Sequence, residues 1–223
     1  MAGEDEVEWL AGRLRALPPS CGPVRLVAVD GHAGSGKSTL SGRLAAELGG
    51  APVVHLDDVA SHGALFDWVG RLTSQVTEPL ARGRTACLEV YDWERRRFGE
   101  AVEVPPADVV LLEGVGAGRR ALRPLLACLV WMDMPEREAW ARGRRRDGAA
   151  LSGFWDGWTA AERAHFAGDP SYAFARFLVR EGPEGYGVLP GPGRMPLAGC
   201  PVTGDERAGG ATVRASGGAA GRA

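Results

Sequence analysis

The sequence predicts an α/β fold in which a parallel, doubly wound sheet of about five strands is covered by helices on both faces. Short apolar runs alternate along the chain with longer segments whose apolar residues recur at helical spacing. One run, residues 108–113, is almost wholly apolar, as expected for a strand that is buried on both faces of a sheet. A chain of 223 residues is long enough for one such domain with a substantial core.

The predicted elements begin with an amphipathic helix over residues 4–17, which two consecutive prolines terminate. A buried strand over 25–30 then leads through a glycine-rich loop into a helix over 39–48, whose leucines lie on one face. Residues 84–104 alternate in polarity and contain turn residues, which indicates an irregular or hairpin insertion. The remaining predicted segments are strands over 52–56, 108–113, 126–133 and 177–180 and helices over 64–82, 135–147 and 151–167.

Composition divides the chain into three parts. Residues 1–20 carry the N-terminal helix, residues 21–190 contain every predicted strand, and residues 191–223 are rich in glycine, alanine and proline, which predicts a disordered tail. The net charge of −2 and the lack of an apolar stretch of membrane-spanning length argue against nucleic-acid binding and membrane insertion. The acidic N-terminus is unlike a signal peptide, and the scattered cysteines predict reduced thiols in a cytoplasmic protein.

The most informative motif lies between the first strand and the next helix, where residues 31–39 read Gly-His-Ala-Gly-Ser-Gly-Lys-Ser-Thr. The Gly-x4-Gly-Lys-Ser spacing is that of a P-loop, in which backbone N–H groups surround phosphates, the lysine reaches the β- and γ-phosphates, and the serine binds Mg²⁺. The helix that follows contributes unpaired N–H donors and the positive end of its dipole. This context predicts the P-loop NTPase fold, with ATP bound by Gly31, Ala33, Gly34, Ser35, Gly36, Lys37, Ser38 and Thr39.

Lys37 is the only lysine among the 26 basic residues, and the chain has no isoleucine and no asparagine. This bias favours arginine wherever a generic positive charge is sufficient. A single lysine, placed within the P-loop, indicates that a compact ammonium is needed there, because a guanidinium is a planar fork and an ammonium is a point charge. Lys37 is therefore predicted to be catalytic.

Two acidic residues end predicted strands at the sheet edge where ligands bind in open α/β folds. Asp57 follows the second strand and could accept a proton from a substrate hydroxyl or hold Mg²⁺-bound water. An alternative, which applies equally to Asp58, is a helix N-cap. Glu113 ends the third strand and is predicted to contact Mg²⁺ through water, with Ser38 as the other metal ligand; the alternative is a solvated strand end.

The helix predicted over 135–147 contains five arginines and ends at Asp147. A spacing of four places Arg142 and Arg146 on the same face. From that face they could bind ATP phosphates and stabilise charge during phosphoryl transfer, although a solvated basic face explains the pattern equally well. RNA binding is disfavoured because the cluster is short and has no interleaved aromatic residues.

The insertion contains Tyr91-Asp92-Trp93, two aromatic rings that flank a carboxylate. This group could stack on a base and bind sugar hydroxyls, or it could equally be ordinary packing. With these residues, the sequence from about 24 to 147 resembles the uridine kinase family of P-loop nucleoside kinases. The similar features are the P-loop, the strand-end Asp57, Tyr91-Asp92-Trp93 beside the family's Tyr-Asp-Phe element, Leu112-Glu113-Gly114-Val115 beside its Glu-Gly strand end, and the Arg142…Arg146-Asp147 pattern of its lid helix.

The resemblance implies ATP- and Mg²⁺-dependent phosphorylation of a substrate hydroxyl, with Asp57 as the base. It also implies that Lys37 and the lid arginines stabilise the phosphoryl group, and that Tyr91 and Trp93 contact the substrate. A nucleoside is the best single expectation for the acceptor, while a nucleotide, a sugar or a cofactor precursor stays open. The chain departs from the family after Asp57, where it reads Asp-Val-Ala, and at residues 94–98, which contain no histidine.

Two other classes of protein compete with a small-molecule kinase. The first is a nucleotide-binding regulator or GTPase-like switch, but a chain without asparagine cannot contain the Asn-Lys-x-Asp motif by which such switches typically recognise guanine. The second is an inactive ATP-binding scaffold that uses its tail and arginine-rich helix for partners. Catalytic turnover distinguishes the kinase from the scaffold.

Overall fold

The computed structural model describes residues 5–193, which form a six-stranded sheet, a separate hairpin and flanking helices. The strands are β1 (Arg25–Asp30), β2 (Val53–His55), β3 (Ala86–Asp92), β4 (Arg97–Val104), β5 (Val109–Glu113), β6 (Leu126–Met132), β7 (Phe177–Gly182) and β8 (Gly185–Pro190). The helices are α1 (Glu6–Arg15), α2 (Lys37–Glu47), α3 (Leu56–Val59), α4 (Val69–Leu72), α5 (Glu78–Ala81), α6 (Glu136–Asp147) and α7 (Ser152–Gly168), with a π-helical turn at Thr73–Thr77 between α4 and α5.

The main sheet has the strand order β2-β5-β1-β6-β7-β8. Its first five strands are parallel, and β8 runs antiparallel to β7. The α/β fold with a parallel, helix-covered sheet is therefore confirmed, and the predicted count of about five strands is too low by one. Strand β8 was not predicted, because the sequence from about residue 182 onwards is rich in glycine and proline. Only Tyr186 of this strand is buried, and Gly185 takes a φ of 123° at the turn from β7.

Alternate side chains of β1 point to opposite faces of the sheet, and each face is covered by its own helices. Val27 and Val29 pack with α1 and α2 in one apolar cluster. Leu26 and Ala28 pack on the other face, in a cluster with side chains from α4, the π-helical turn and α5. Burial on both faces explains why the parallel strands read as continuous apolar runs in the sequence.

Three features of the fold differ from the sequence prediction or complete it at candidate site residues. The predicted second strand ends at His55, and Asp57 lies in the one-turn helix α3 instead of at the end of a strand. The N-cap of α3 is His55, so the N-cap role considered for Asp57 and Asp58 is wrong. The insertion is the antiparallel hairpin β3–β4, which pairs with no strand of the main sheet.

The ends of the chain lie partly outside the described residues. The predicted N-terminal helix is shorter than expected, at Glu6–Arg15, and its buried side chains pack against the sheet. Most of the predicted tail, residues 194–223 with Cys200, lies outside the part of the chain that the structure describes. Among residues 5–193, no helix combines the length and the apolar composition needed to cross a bilayer.

Candidate functional site

The phosphate-binding loop between β1 and α2 depends on three glycines with positive φ. Gly31, Gly34 and Gly36 have φ values of 146°, 83° and 102°, which L side chains rarely adopt. A Cβ atom on Gly34 would lie 2.2 Å from the carbonyl oxygen of Ala139, on helix α6. The loop is thus pressed against α6, and only glycine fits at this point.

Lys37 is the first residue of α2, and its side chain is 7% exposed. Its Nζ donates a hydrogen bond to the carbonyl oxygen of His32, 3.0 Å away at the start of the loop. The first N–H groups of a helix have no partner within the helix, so the start of α2 presents donors beside this ammonium. The arrangement suits a polyanion such as a nucleotide phosphate chain.

Ser38, in the first turn of α2, lies beside Glu113, the last residue of β5. The Ser38 hydroxyl donates to Glu113 Oε2 at 3.3 Å, and His55 Nδ1 donates to the same oxygen at 2.6 Å. Burial alone would raise the pKa of Glu113, but the His55 hydrogen bond and the Lys37 charge hold it below its usual value. An ionised carboxylate beside a hydroxyl provides the hard oxygen donors that Mg²⁺ prefers, so these residues fit the predicted ion.

Asp57 lies close enough to Lys37 and Glu113 to interact with both charges. It is exposed, but the protein around it removes part of its water, and this desolvation, together with the charge of Glu113, raises its pKa. The Lys37 ammonium opposes that rise. A carboxylate with a raised pKa is a stronger base than an ordinary aspartate, which suits proton transfer from a hydroxyl.

An aromatic cluster stands beside Asp57. The Trp93 indole Nε1 donates to the backbone oxygen of Asp57 at 3.1 Å, which joins the hairpin to α3. The Tyr91 hydroxyl lies 3.1 Å from His62 Nδ1, and the His62 ring is 4.9 Å from the Trp93 ring and 6.2 Å from that of Phe154. The structure therefore brings the predicted substrate-binding residues Tyr91 and Trp93 to the same place as Asp57.

The carboxylate between the two aromatic residues has a local role. Asp92 Oδ1 accepts hydrogen bonds from the backbone N–H groups of Glu94 and Arg95, at 3.0 and 2.8 Å. These bonds close the turn of the hairpin, and the backbone bond from Arg95 is the main cause of a lowered pKa of Asp92. The Asp92 carboxylate is therefore used in hydrogen bonds within its own turn.

The two lid arginines face different parts of the site. Arg142 pairs with Glu181 at 2.6 Å, and its Nη1 would lie 3.6 Å from a Cβ placed on Gly36, so it stands over the phosphate-binding loop. Arg146 makes two hydrogen bonds to Asp147, at 2.6 and 3.1 Å. The bonds to Asp147, with a smaller contribution from the charge of Asp57, raise the pKa of Arg146.

Sequence reasoning missed three polar groups that shape the site. The buried Asp30 carboxylate accepts N–H groups of Gly31, Gly116 and Gly118 at 2.7 to 2.9 Å, and so ties the P-loop to the segment after β5. The sequence signal that could have identified Asp30 is its place as an acidic residue at the end of the strand before the P-loop motif. Glu162 on α7 and His62 in a short loop have no sequence signal, because only the tertiary fold brings them to the site.

Comparisons with known proteins give the fold. No family model matches the chain, and no curated protein matches it. The chain is similar to the structure of a possible uridine kinase from Bacillus stearothermophilus, with 20% identity, a TM-score of 0.52, and coverage of 73% of this chain and 94% of that one. It is also similar to a candidate fructose transport system kinase from Silicibacter sp. TM1040, with 24% identity, a TM-score of 0.52, and coverage of 72% and 88%. These similarities show that the chain has the fold of P-loop kinases.

Proposed function

We propose that the protein is an ATP- and Mg²⁺-dependent kinase that transfers the γ-phosphate to a hydroxyl of a small molecule, with a nucleoside as the first candidate acceptor. The observation that carries the proposal is the convergence of Lys37, the Ser38–Glu113 pair and Asp57 at one edge of the sheet. This edge, at the carboxyl ends of the parallel strands, is where ligands bind in open α/β folds. Each of the three groups matches a part that phosphoryl transfer requires.

The phosphate side would work through positioning and charge. Ser38 and, through water, Glu113 would hold Mg²⁺, which supplies positive charge to the β- and γ-phosphate oxygens. Lys37 would exchange its hydrogen bond to the His32 carbonyl for the phosphate oxygens. His55 keeps the Glu113 carboxylate oriented by its hydrogen bond to Oε2.

The acceptor side would supply the base. The acceptor hydroxyl would give its proton to Asp57 as its oxygen forms a bond to the γ-phosphorus. The bond from that phosphorus to the β–γ bridging oxygen would break, so that ADP leaves with the electron pair. The raised pKa of Asp57 supports this role, because proton transfer is most effective when the pKa of the base approaches the working pH.

The aromatic cluster supports an acceptor with a flat or apolar group next to its hydroxyl. Tyr91, Trp93, His62 and Phe154 present ring faces and edges within a few ångströms of each other, beside the Asp57 backbone. A nucleobase would stack on such rings, while a sugar would use mainly their apolar faces. Both possibilities also agree with the names of the similar structures, a possible uridine kinase and a candidate fructose transport system kinase.

One observation favours a second candidate, an ATP-binding regulator or scaffold without turnover. Both lid arginines are already engaged by carboxylates, Arg142 by Glu181 and Arg146 by Asp147. A protein that only binds ATP does not need to break these two arginine–carboxylate pairs. A kinase would require these guanidinium groups to move from the carboxylates to the transferring phosphoryl group.

The test is ADP release from ATP and Mg²⁺ by the purified protein, across a panel of nucleosides, nucleoside monophosphates, sugars and pantothenate-like alcohols. Stimulation by one acceptor above background hydrolysis would support the kinase and name its substrate class. Tight ATP binding without stimulation by any acceptor would favour the regulator. We also propose a cytoplasmic location, which is supported by the free thiols of Cys21, Cys87 and Cys128 in the described part of the chain.

A further inference from the structure

Helix α7 inserts one carboxylate, Glu162, behind the phosphate-binding loop. Its side chain is fully buried and accepts three hydrogen bonds. His32 Nδ1 donates to Oε1 at 2.7 Å, while the backbone N–H of Ala33 and the Trp158 indole donate to Oε2 at 3.2 and 2.9 Å. Two of the three donors belong to the second and third residues of the loop.

Such burial is costly for a carboxylate unless hydrogen bonds compensate for the lost water. Here both oxygens accept hydrogen bonds. Burial on its own would raise the pKa of Glu162, but the hydrogen bond and charge of His32, the charge of Lys37 and the Ala33 N–H together hold it below its usual value. Trp158 precedes Glu162 by one helical turn, so that α7 itself supplies one of the donors. The packing of α7 therefore fixes the carboxylate in a single position.

The contacts at His32 connect this carboxylate to Lys37. The His32 ring is bonded to Glu162, while the His32 carbonyl accepts the hydrogen bond from Lys37 Nζ at 3.0 Å. The next N–H group, that of Ala33, also points to Glu162. The peptide group between His32 and Ala33 is consequently held from the side of α7, and its carbonyl is the group that holds the ammonium.

We propose that Glu162 is a positioning residue for the phosphate-binding loop, which acts through His32 and Ala33 to place the carbonyl that holds Lys37. This inference rests on the proposed function, because it takes the loop to bind the phosphates of ATP. Glu162 touches neither the nucleotide nor the acceptor in this account. Its loss should therefore weaken ATP binding and leave the affinity for the acceptor unchanged.

The experiment compares Glu162→Gln with Asp169→Asn, a matched control near the end of the same helix. Asp169 accepts hydrogen bonds from the Arg120 backbone and the Arg123 side chain, at 2.8 and 2.6 Å, and none of its hydrogen bonds reaches the loop. ATP–Mg²⁺ affinity is measured by calorimetry and unfolding by thermal denaturation. We expect Glu162→Gln to weaken ATP binding by about 10- to 100-fold, the cost of a small misplacement, and Asp169→Asn to leave it at the parent value.

The single lysine of the chain provides a readout that does not depend on catalysis. An amine-reactive reagent can label only Lys37 and the N-terminal amine, and mass spectrometry of peptides separates the two. Lys37 is 7% exposed and tied to the His32 carbonyl, so we expect faster labelling in Glu162→Gln and the parent rate in Asp169→Asn. A mere loss of stability would affect both variants.

Parent-like ATP affinity and labelling in Glu162→Gln would overturn the inference, and so would equal losses in both variants. If Glu162→Gln does not fold, His32→Ala breaks the same link from the loop side, and parent-like ATP affinity there would overturn it too. Failure of the proposed function looks different: Lys37→Ala would then bind ATP as well as the parent. ATP binding that depends on Lys37 but not on Glu162 contradicts only the inference.

Discussion

The P-loop and the proposed acceptor side, which consists of Asp57 and the aromatic cluster, lie at the same edge of the sheet, but different kinds of structure hold them in place. Around the loop, Asp30, Lys37 and Glu162 are all buried, and each is hydrogen-bonded to backbone groups of the loop. On the acceptor side, Asp57 lies in a one-turn helix, and Tyr91 and Trp93 come from a hairpin outside the main sheet.

This difference points to separate roles in the proposed function: the loop would take part in phosphoryl transfer, and the acceptor side would select the substrate. The loop geometry depends on buried groups that cannot change without a cost in stability. The acceptor side lies on a one-turn helix and a hairpin outside the main sheet, and binding residues are often found on such peripheral segments. Tyr91 is nevertheless buried, and Trp93 packs against the core. In the proposed function, the loop would bind the phosphates, whereas the acceptor side would restrict the substrate only to a chemical class.

The largest effect is expected at Lys37. Lys37→Ala should lower ATP turnover by more than about 1000-fold, because it removes the ammonium that stabilises the transferring phosphoryl group. Lys37→Arg should fail as well, since a planar guanidinium cannot replace a compact charge 3.0 Å from the His32 carbonyl. Steady-state turnover measures both, with thermal unfolding as the control for folding. If Lys37→Ala turns over ATP at the parent rate, the P-loop does not take part in catalysis as proposed.

Asp57→Asn tests whether the two sides have separate roles. We expect phosphoryl transfer to fall by about 100-fold or more, because the amide cannot accept the proton. ATP affinity should stay within about twofold of the parent value, since the loop contacts are unchanged. Single-turnover transfer and calorimetric binding measure the two quantities. Transfer at the parent rate would show that Asp57 is not the base.

Gly34→Ala tests how tightly the loop is fixed. The new Cβ would meet the Ala139 carbonyl oxygen at 2.2 Å and adopt a positive φ, so we expect a loss of about 1–3 kcal/mol in unfolding free energy and weaker ATP binding. Gly42→Ala is the matched control, since nothing lies within 4 Å of its Cβ position in α2, and it should stabilise the protein by up to about 1 kcal/mol. Urea unfolding measures the unfolding free energy of both variants. Equal values for Gly34→Ala and Gly42→Ala would contradict the conclusion that the loop is held tightly against α6.

Trp93→Ala tests whether the aromatic cluster binds the acceptor. Loss of the indole removes ring contacts and the hydrogen bond to the Asp57 backbone, so we expect the KM for the acceptor to rise about tenfold. The KM for ATP should not change. Trp9→Ala, which removes a partly exposed tryptophan from α1, is the control and should leave both values unchanged. A rise in the KM for ATP alone would contradict the assignment of Trp93 to the acceptor side.

The smallest effect concerns the pH dependence of stability near the buried part of α7. Burial, together with the Arg119 guanidinium, lowers the pKa of His165 from 6.5 to about 4. Only neutral imidazole can accept the hydrogen bond from Arg119 Nη2 at 3.1 Å, so this contribution is present above pH 6.5 and is lost as the pH falls towards 4. His165→Phe, which keeps a ring against Phe66, should lose less unfolding free energy than the parent between pH 7 and pH 5. Equal losses would contradict the shift.

Much of the fold could be predicted because apolar periodicity depends on local sequence. The strands that carry the site are continuous apolar runs, and the Gly-x4-Gly-Lys-Ser spacing marks the loop between β1 and α2. Strand β8 was missed because its glycines and proline are typical of loops, and pairing with β7 overrides that composition.

The candidate site was predictable only in part. Residues within motifs, such as Lys37 and Asp57, could be named because their place in the chain fixes their place at the sheet edge. Glu162 is 130 residues from His32, and His62 is 29 residues from Tyr91, so these contacts depend on how helices and loops pack. Without a local pattern, the sequence alone could not indicate them.

We propose that the γ-phosphate of ATP passes to an organic hydroxyl, with Asp57 as the base. The most direct measurement is a single-turnover reaction with ATP labelled at the γ-phosphate, in which the labelled products are separated and identified. We expect the label to appear on an acceptor with the parent protein and to stay on ATP with Asp57→Asn. Label found only as inorganic phosphate, or retained on tightly bound ATP with every acceptor, would contradict it.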